Sequence, residues 1–246
     1  MAITRTVFIT GGARRIGMAA AKYLHASGYN IIITYNKSGL EAKSLSKRLN
    51  KLRPNSFATI KASFTSKKIC SLIYKKAIKI FGRVDVLINN ASKFYPTKIA
   101  NITEKSWFDI IDTNLKVPLF LSKEFYPELK KRKGSIINII DIHIDPPLKD
   151  HIIYNISKAG LLALTKTLAK DLAPNVRVNG VSPGAIMWPE ADISNTKKKK
   201  EILSRIALRR SGEPNDIAKA ILFLIQDAGY VTGQNINIDG GRKLNM

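Results

Sequence analysis

Short, almost wholly apolar runs recur along the chain and alternate with longer stretches of helical period. Residues 7–10, 30–35, 56–62, 84–88, 135–140, 176–181 and 235–238 read as strands, and 16–27, 39–52, 67–81, 114–130, 153–172 and 215–226 as helices. Strands that are apolar on both sides are those of a parallel sheet covered on both faces. Strand–helix alternation with right-handed crossovers then leaves one economical solution: an α/β fold, a doubly wound parallel sheet of about seven strands with helices on both faces. No linker, repeat or low-complexity stretch divides the 246 residues, so a single domain over 1–246 is expected.

The bulk properties narrow the setting. Cys70 is the only cysteine, which excludes an intrachain disulfide. No apolar run is long enough to cross a bilayer, and the first ten residues lead into a strand without signal-peptide architecture, so a cytoplasmic protein with no membrane partner is expected. The net charge of +23 is unusual. The lysines are scattered evenly, and Lys, Asn and Ile, all abundant, share A/T-rich codons. The densest block, 197–200, reads as a solvated loop or helix start. Zinc-finger spacing and aromatic RNA-binding strands are missing, so codon bias and attraction of anionic ligands outweigh a nucleic-acid role. No metal site is expected.

The first strand runs into Thr10-Gly11-Gly12-Ala13-Arg14-Arg15-Ile16-Gly17. Gly11 and Gly12 permit a tight turn, Gly17 permits close helix–sheet packing, and the following helix offers free N–H groups to a pyrophosphate. Such a turn between strand and helix belongs to a Rossmann-type dinucleotide site, with Gly11, Arg14, Arg15 and Ile16 beside the cofactor. The second strand ends Asn36-Lys37-Ser38, where NAD-binding chains often carry an acid for the ribose hydroxyl. Lys37 can pair with a 2′-phosphate, Asn36 and Ser38 can hydrogen-bond it, and Arg14 lies within reach. NADPH is therefore favoured over NADH.

Tyr154 and Lys158 stand four apart and share one face of a helix. A tyrosine is a poor acid–base group near neutral pH unless its anion is stabilised, and an adjacent ammonium is expected to lower its pKa while also holding the nicotinamide ribose. Asn90-Ala91-Ser92 follows the fourth strand, Asn114 lies in the next helix, and Pro183-Gly184 follows the sixth strand. With the glycine-rich turn and Tyr230-Val231-Thr232-Gly233-Gln234, this set resembles the short-chain dehydrogenase/reductase family across essentially the whole chain.

That family mostly places a serine 13 residues before the tyrosine; here the position is Asp141. An ionised carboxylate cannot donate the hydrogen bond that the serine gives a ketone oxygen. Asp141, Arg15 in place of a turn glycine, Lys37-Ser38, Arg53-Pro54-Asn55-Ser56 and the loop 90–97 resemble the pteridine reductases of the family. The resemblance implies reduction of a 7,8-dihydropteridine (dihydromonapterin, dihydrobiopterin or dihydrofolate) at a ring C=N bond. In this role Phe94 stacks on the pterin, Ser92 and Arg15 contact pterin and cofactor phosphate, and Tyr154 hydrogen-bonds the ring. Asp141 and Tyr154 relay the proton, while Asn114 orders water near Lys158. Asn90, Ala91, Pro183 and Gly184 line the cofactor, and Ser63 replaces the usual aspartate near the adenine. Met187 and Trp188, in a region at 186–210 that closes over the site, contact substrate. A homotetramer built partly on the two long helices is implied. Kept open beside it are a 3-oxoacyl-thioester or other carbonyl reductase, a basic nucleic-acid-binding protein on the same fold, and a non-catalytic pterin or NADPH sensor.

Overall fold

The computed structural model describes residues 4–64, 68–187 and 196–246. Seven strands form one sheet: β1 (Thr6–Ile9), β2 (Asn30–Tyr35), β3 (Phe57–Lys61), β4 (Val86–Asn89), β5 (Ser135–Ile139), β6 (Arg177–Pro183) and β7 (Asn235–Ile238). Their order is β3-β2-β1-β4-β5-β6-β7, and every neighbouring pair is parallel. This is the single-domain Rossmann-type α/β fold expected from the sequence. Strand order reverses between β1 and β4, so a crevice opens at their carboxyl ends, where ligands of such sheets bind.

The two-sided apolarity of the strands has a direct structural cause. Val7 and Ile9, Ile31 and Ile33, and Val86 and Ile88 point to one face, beneath α1 (Arg15–Ala26), α2 (Gly39–Leu52) and α8 (Pro214–Gln226). Phe8, Ile32 and Leu87 point to the other, beneath α3 (Ile69–Phe81), α5 (Val117–Arg132) and α6 (Ile152–Asp171). Period-two alternation thus splits the same strands between two cores. Phe125 anchors the second, its ring centroid 4.9 Å from Phe8 and edge-on to Tyr74 at 5.3 Å; truncating so enclosed a ring costs about 3–5 kcal/mol.

One segment departs from the sequence expectation, and the lysine block falls at a helix start, as expected. The helix placed from residue 114 begins earlier, as α4 (Glu104–Ile111), passes through a widened π turn, Asp112–Lys116, and continues as α5. Thr103 starts it, its side chain accepting from the Ser106 backbone N–H while the Ser106 hydroxyl accepts from Thr103 N–H. The Val117 N–H reaches back to the Asp112 carbonyl. Pro118 has no N–H for the Asn114 carbonyl four residues earlier, which removes a regular helical bond where the π turn sits. The lysine block 197–200 falls in α7 (Thr196–Ser204), where Glu201 pairs with Arg205 at 2.8 Å. No helix among the described residues is long and apolar enough to cross a membrane.

Candidate functional site

The turn after β1 is fixed from two sides. Thr34 on β2 accepts the Gly11 N–H on its hydroxyl (3.1 Å) and the Gly12 N–H on its carbonyl (3.0 Å). Asn90, at the end of β4, donates its side-chain amide to the carbonyls of Thr10 (2.9 Å) and Gly11 (3.1 Å), while the Thr10 hydroxyl accepts the N–H groups of Asn90 and Ala91. Side chains have no room here. A Cβ on Gly12 would lie 2.4 Å from Ile33, and one on Gly17 2.4 Å from the Gly11 carbonyl. Gly11 has φ +64, the left-handed region that glycine enters without strain. Arg14 caps α1 with no side-chain hydrogen bond to the helix, which leaves its first N–H groups for an anion. The tight glycine cradle at a helix N-terminus fits a dinucleotide pyrophosphate.

Arg15 adopts φ 50, a strained conformation for an arginine at the mouth of the turn. Its Nη2 donates to the Met187 carbonyl (3.3 Å), so the two expected substrate residues meet; Trp188 lies outside the described residues. Ile16 is half-buried against the first core. Beyond β2, Asn36 and Lys37 are exposed and Ser38 caps α2 without a side-chain bond. Arg14 faces Glu41 on α2 at 3.7 Å, which brings it beside this edge. Ser63 is exposed just past β3. Pro183 ends β6, and Gly184 packs so closely on Asp239 that a Cβ would lie 2.6 Å from its Cα.

At the end of β5 the chain turns to place Asp141 against α6. The Tyr154 hydroxyl donates to Asp141 Oδ2 at 2.5 Å, and the His143 N–H donates to Asp141 Oδ1 at 2.8 Å. Lys158 is buried and donates its Nζ to the Ile139 carbonyl (2.8 Å), 5.7 Å from the centre of the Tyr154 ring. Burial pushes Lys158 down to about 8, against the pull of Asp141. Tyr154 moves the other way. Burial, the Asp141 charge and the hydrogen bond to it hold the phenol well above its ordinary 10. The expectation that Lys158 lowers the tyrosine is thereby corrected: burial, with the Asp141 carboxylate in contact with the hydroxyl, sets the direction. As arranged, the phenol is protonated and its one proton lies in the hydrogen bond to Asp141.

Asn114 is spent on structure. Its Oδ1 accepts from Lys93 N (2.8 Å), and its Nδ2 donates to the Lys93 carbonyl and the Ser157 hydroxyl, both at 3.0 Å. Ser157 in turn donates to the Tyr154 carbonyl at 2.7 Å. The side chain therefore ties the loop after β4 to α6. On that loop Ser92 is exposed, Lys93 pairs with Asp109, and Tyr95 donates to Asp109 at 3.0 Å. Phe94 stays 52% exposed, edge-on to Tyr154 at 4.8 Å and stacked on His151 at 4.7 Å and 14°. The ring is thus held in place by two aromatic neighbours while half of it stays open to solvent.

The structure thus gathers Asp141, Tyr154, Lys158, Asn114, Phe94 and Ser92 at one sheet edge, with the turn residues across the crevice and Ser63 at its periphery. Sequence reasoning missed His151, His143 and Arg242. The signals were there: His151 lies one helical turn before Tyr154, and Arg242 follows the last strand on the ligand edge. The half-buried His143 ring is held below its ordinary value by desolvation, against the nearby Asp141.

Comparison with known proteins matches residues 11–243 to the family described as Enoyl-(Acyl carrier protein) reductase. The chain is 34% identical to the 3-oxoacyl-(acyl-carrier-protein) reductase FabG of Staphylococcus aureus (strain N315), covering 98% of this chain and 99% of that one. It is 36% identical to the same-named protein of Thermotoga maritima, over 96% and 97%. It is 30% identical to pteridine reductase 1 of Leishmania tarentolae, over 96% and 95%. Sheet order, glycine turn, Tyr154/Lys158 pair and end-to-end similarity have one explanation: the chain belongs to the short-chain dehydrogenase/reductase family of oxidoreductases.

Proposed function

We propose that this protein is an NADPH-dependent reductase that converts a 7,8-dihydropteridine to its tetrahydro form. The observation that carries the reading is the Tyr154–Asp141 hydrogen bond of 2.5 Å. A carboxylate in that place suits a ring nitrogen that takes up a proton better than a ketone oxygen that needs a second neutral donor. Phe94 beside it suits a flat heteroaromatic substrate.

The residues divide the work as follows. Gly11, Arg14, Arg15 and Ile16 hold the pyrophosphate edge, and Asn36, Lys37 and Ser38 the 2′-phosphate. Asn90 acts by fixing the turn, while Ala91, Ser92, Pro183, Gly184 and the more distant Ser63 line the rest of the cofactor. When bound, NADPH supplies the hydride that reaches the C=N carbon. Lys158 holds the ribose with its ammonium. Phe94, Ser92, Arg15 and Met187 position the pteridine. The Tyr154 hydroxyl, aligned by Asp141, delivers the proton to the adjacent ring nitrogen, and solvent restores it through Asp141. One hydride and one proton balance the reduction.

Exposed Trp107 and Phe108 on α4, Leu119 and Phe120 on α5 and Ile156 on α6 support a homotetramer built on these helices. A cytoplasmic setting agrees with the lone, buried Cys70.

A second reading, reduction of a 3-oxoacyl thioester, is favoured by the names of the FabG relatives. The deciding experiment follows the absorbance of reduced nicotinamide with dihydromonapterin, dihydrobiopterin, dihydrofolate and acetoacetyl-coenzyme A, each with NADPH and with NADH. Turnover of a dihydropteridine with NADPH is expected. Turnover of the thioester alone overturns the pteridine assignment and leaves the family intact.

A further inference from the structure

Arg242 begins the short 3-10 turn Arg242–Asn245 that follows β7 at the ligand edge of the sheet. The turn abuts the strand end at Pro183-Gly184, because its anchor, Asp239, is the residue on which Gly184 packs. Arg242 is half-buried, and its Nε is buried with no hydrogen-bond partner among the described residues. A buried donor without an acceptor is costly, and a charged one more so; such a group in a folded protein calls for an explanation.

The neighbouring carboxylates do not supply the missing acceptor. Burial holds the Arg242 guanidinium below its ordinary value, with Arg205 acting the same way and the charges of Asp141 and Asp239 acting against it. Yet Asp141 has one oxygen on the Tyr154 hydroxyl (2.5 Å) and the other on the His143 N–H (2.8 Å). Asp239 has one on the Gly241 N–H (3.0 Å) and the other on the Lys243 N–H (2.8 Å). Neither forms an ion pair with Arg242 among the described residues. The guanidinium is held near the catalytic carboxylate and is not consumed by it.

We propose that Arg242 forms a subsite for an oxyanion, a carboxylate or phosphate, carried by the substrate at the end remote from its reacting ring. The assignment rests on the reading of the Asp141–Tyr154 edge as the substrate site, and adds what the far end of that substrate bears. A planar guanidinium matches either anion through paired N–H donors. Asp141 repels negative charge at the reacting end, so the charge is admitted only beyond it, where Arg242 and Arg205 both favour it.

The test uses the whole enzyme and three dihydropteridines that share one ring: a neutral hydroxyalkyl form (dihydrobiopterin), its phosphate monoester and a carboxylate-bearing form (dihydrofolate). The readout is the ratio of kcat/KM for each anionic substrate over the neutral one. Wild type is expected to favour one of the anions, which identifies the group. Arg242→Gln lowers that ratio about ten- to hundred-fold, the range for one charge-assisted hydrogen-bonded contact. Arg242→Lys, which keeps the charge but loses the fork, falls between. An unchanged ratio in Arg242→Gln, with an unchanged melting temperature, overturns the proposal. If wild type reduces no pteridine, the proposed function has failed. The subsite is then read from acetoacetyl-coenzyme A, which carries phosphates, against the neutral acetoacetyl N-acetylcysteamine thioester. A collapse of that ratio in Arg242→Gln sustains the oxyanion subsite, and an unchanged ratio overturns it.

Discussion

The Tyr154 hydroxyl and the Asp141 carboxylate, 13 residues apart in sequence, meet at 2.5 Å. The contact holds the phenol in its protonated form, since burial and the Asp141 charge both penalise a phenolate. Asp141→Asn removes that charge, and the Tyr154 ionisation then moves down. Ultraviolet titration of tyrosinate in Asp141→Asn against wild type reads it directly, with Tyr154→Phe identifying the signal. A Tyr154 titration that stays in place contradicts this account. Dihydropteridine turnover falls in the same variant, by about tenfold or more.

Tyr154→Phe keeps the ring that Phe94 meets edge-on and removes the proton donor. Turnover falls by about 10²–10⁴, the usual contribution of a positioned general acid. NADPH binding, followed by the fluorescence of the reduced nicotinamide, stays within a few-fold of wild type. Near-normal turnover removes Tyr154 from the chemistry.

Lys158 links function to stability. Its ordinary pKa is 10.5 and its folded value is about 8. Between these values the unfolded chain binds the extra proton, so stability rises with pH through that window, and the full penalty applies below about 8. A displacement of this size corresponds to about 3 kcal/mol, to order of magnitude. Lys158→Met therefore raises the melting temperature at neutral pH while abolishing turnover. Scanning calorimetry at neutral and alkaline pH checks both the gain and its disappearance as pH rises. A loss of stability at neutral pH contradicts the sign.

Phe94 is half exposed, its ring stacked on His151 and edge-on to Tyr154. Phe94→Ala raises KM for the dihydropteridine about ten-fold or more, as the substrate loses both stacking and buried area, while Phe94→Tyr retains most of the affinity. NADPH affinity changes little in either. Equal losses in KM for every substrate, flat or not, count against a stacking role.

Lys37 and Arg14 supply positive charge beyond β2, and Glu41 on the adjacent turn of α2 offsets part of it. Lys37→Ala weakens NADPH about tenfold, the loss of one charge-assisted contact, and leaves NADH within two-fold. Equilibrium titration with both cofactors measures it. Parallel changes for the two cofactors place Lys37 away from the 2′-phosphate.

Much of the fold could be read from local pattern. Asn30–Tyr35 and Gly39–Leu52 have the bounds that sequence predicts, because a run apolar on both faces and an amphipathic helix have little alternative. The helix α4 was not legible. It is eight residues long, exposes Trp107 and Phe108, and is capped by Thr103 and Ser106 in place of the usual acidic partner three residues on. Tyr154 and Lys158 were singled out as a pair four apart on a helix and Asp141 by the offset that the family resemblance implies, and the structure brings the three together. The direction of the Tyr154 shift was not legible, for it depends on burial and on which charge touches the hydroxyl once β5 and α6 pack together. The stacking of His151 on Phe94 escaped for the same reason, since the two are distant in sequence.

The double duty of the asparagines has a mechanical consequence. The segment 90–97 is pinned at one end by Asn90 to the carbonyls of Thr10 and Gly11, and near its middle by Asn114 to the backbone of Lys93. Phe94 is the next residue along. Whatever displaces the Gly11 carbonyl therefore pulls on the strap that carries the aromatic platform, and the two halves of the crevice move as one lever. A ligand that fills the nucleotide cradle therefore bears, through Asn90 and Asn114, on where Phe94 stands.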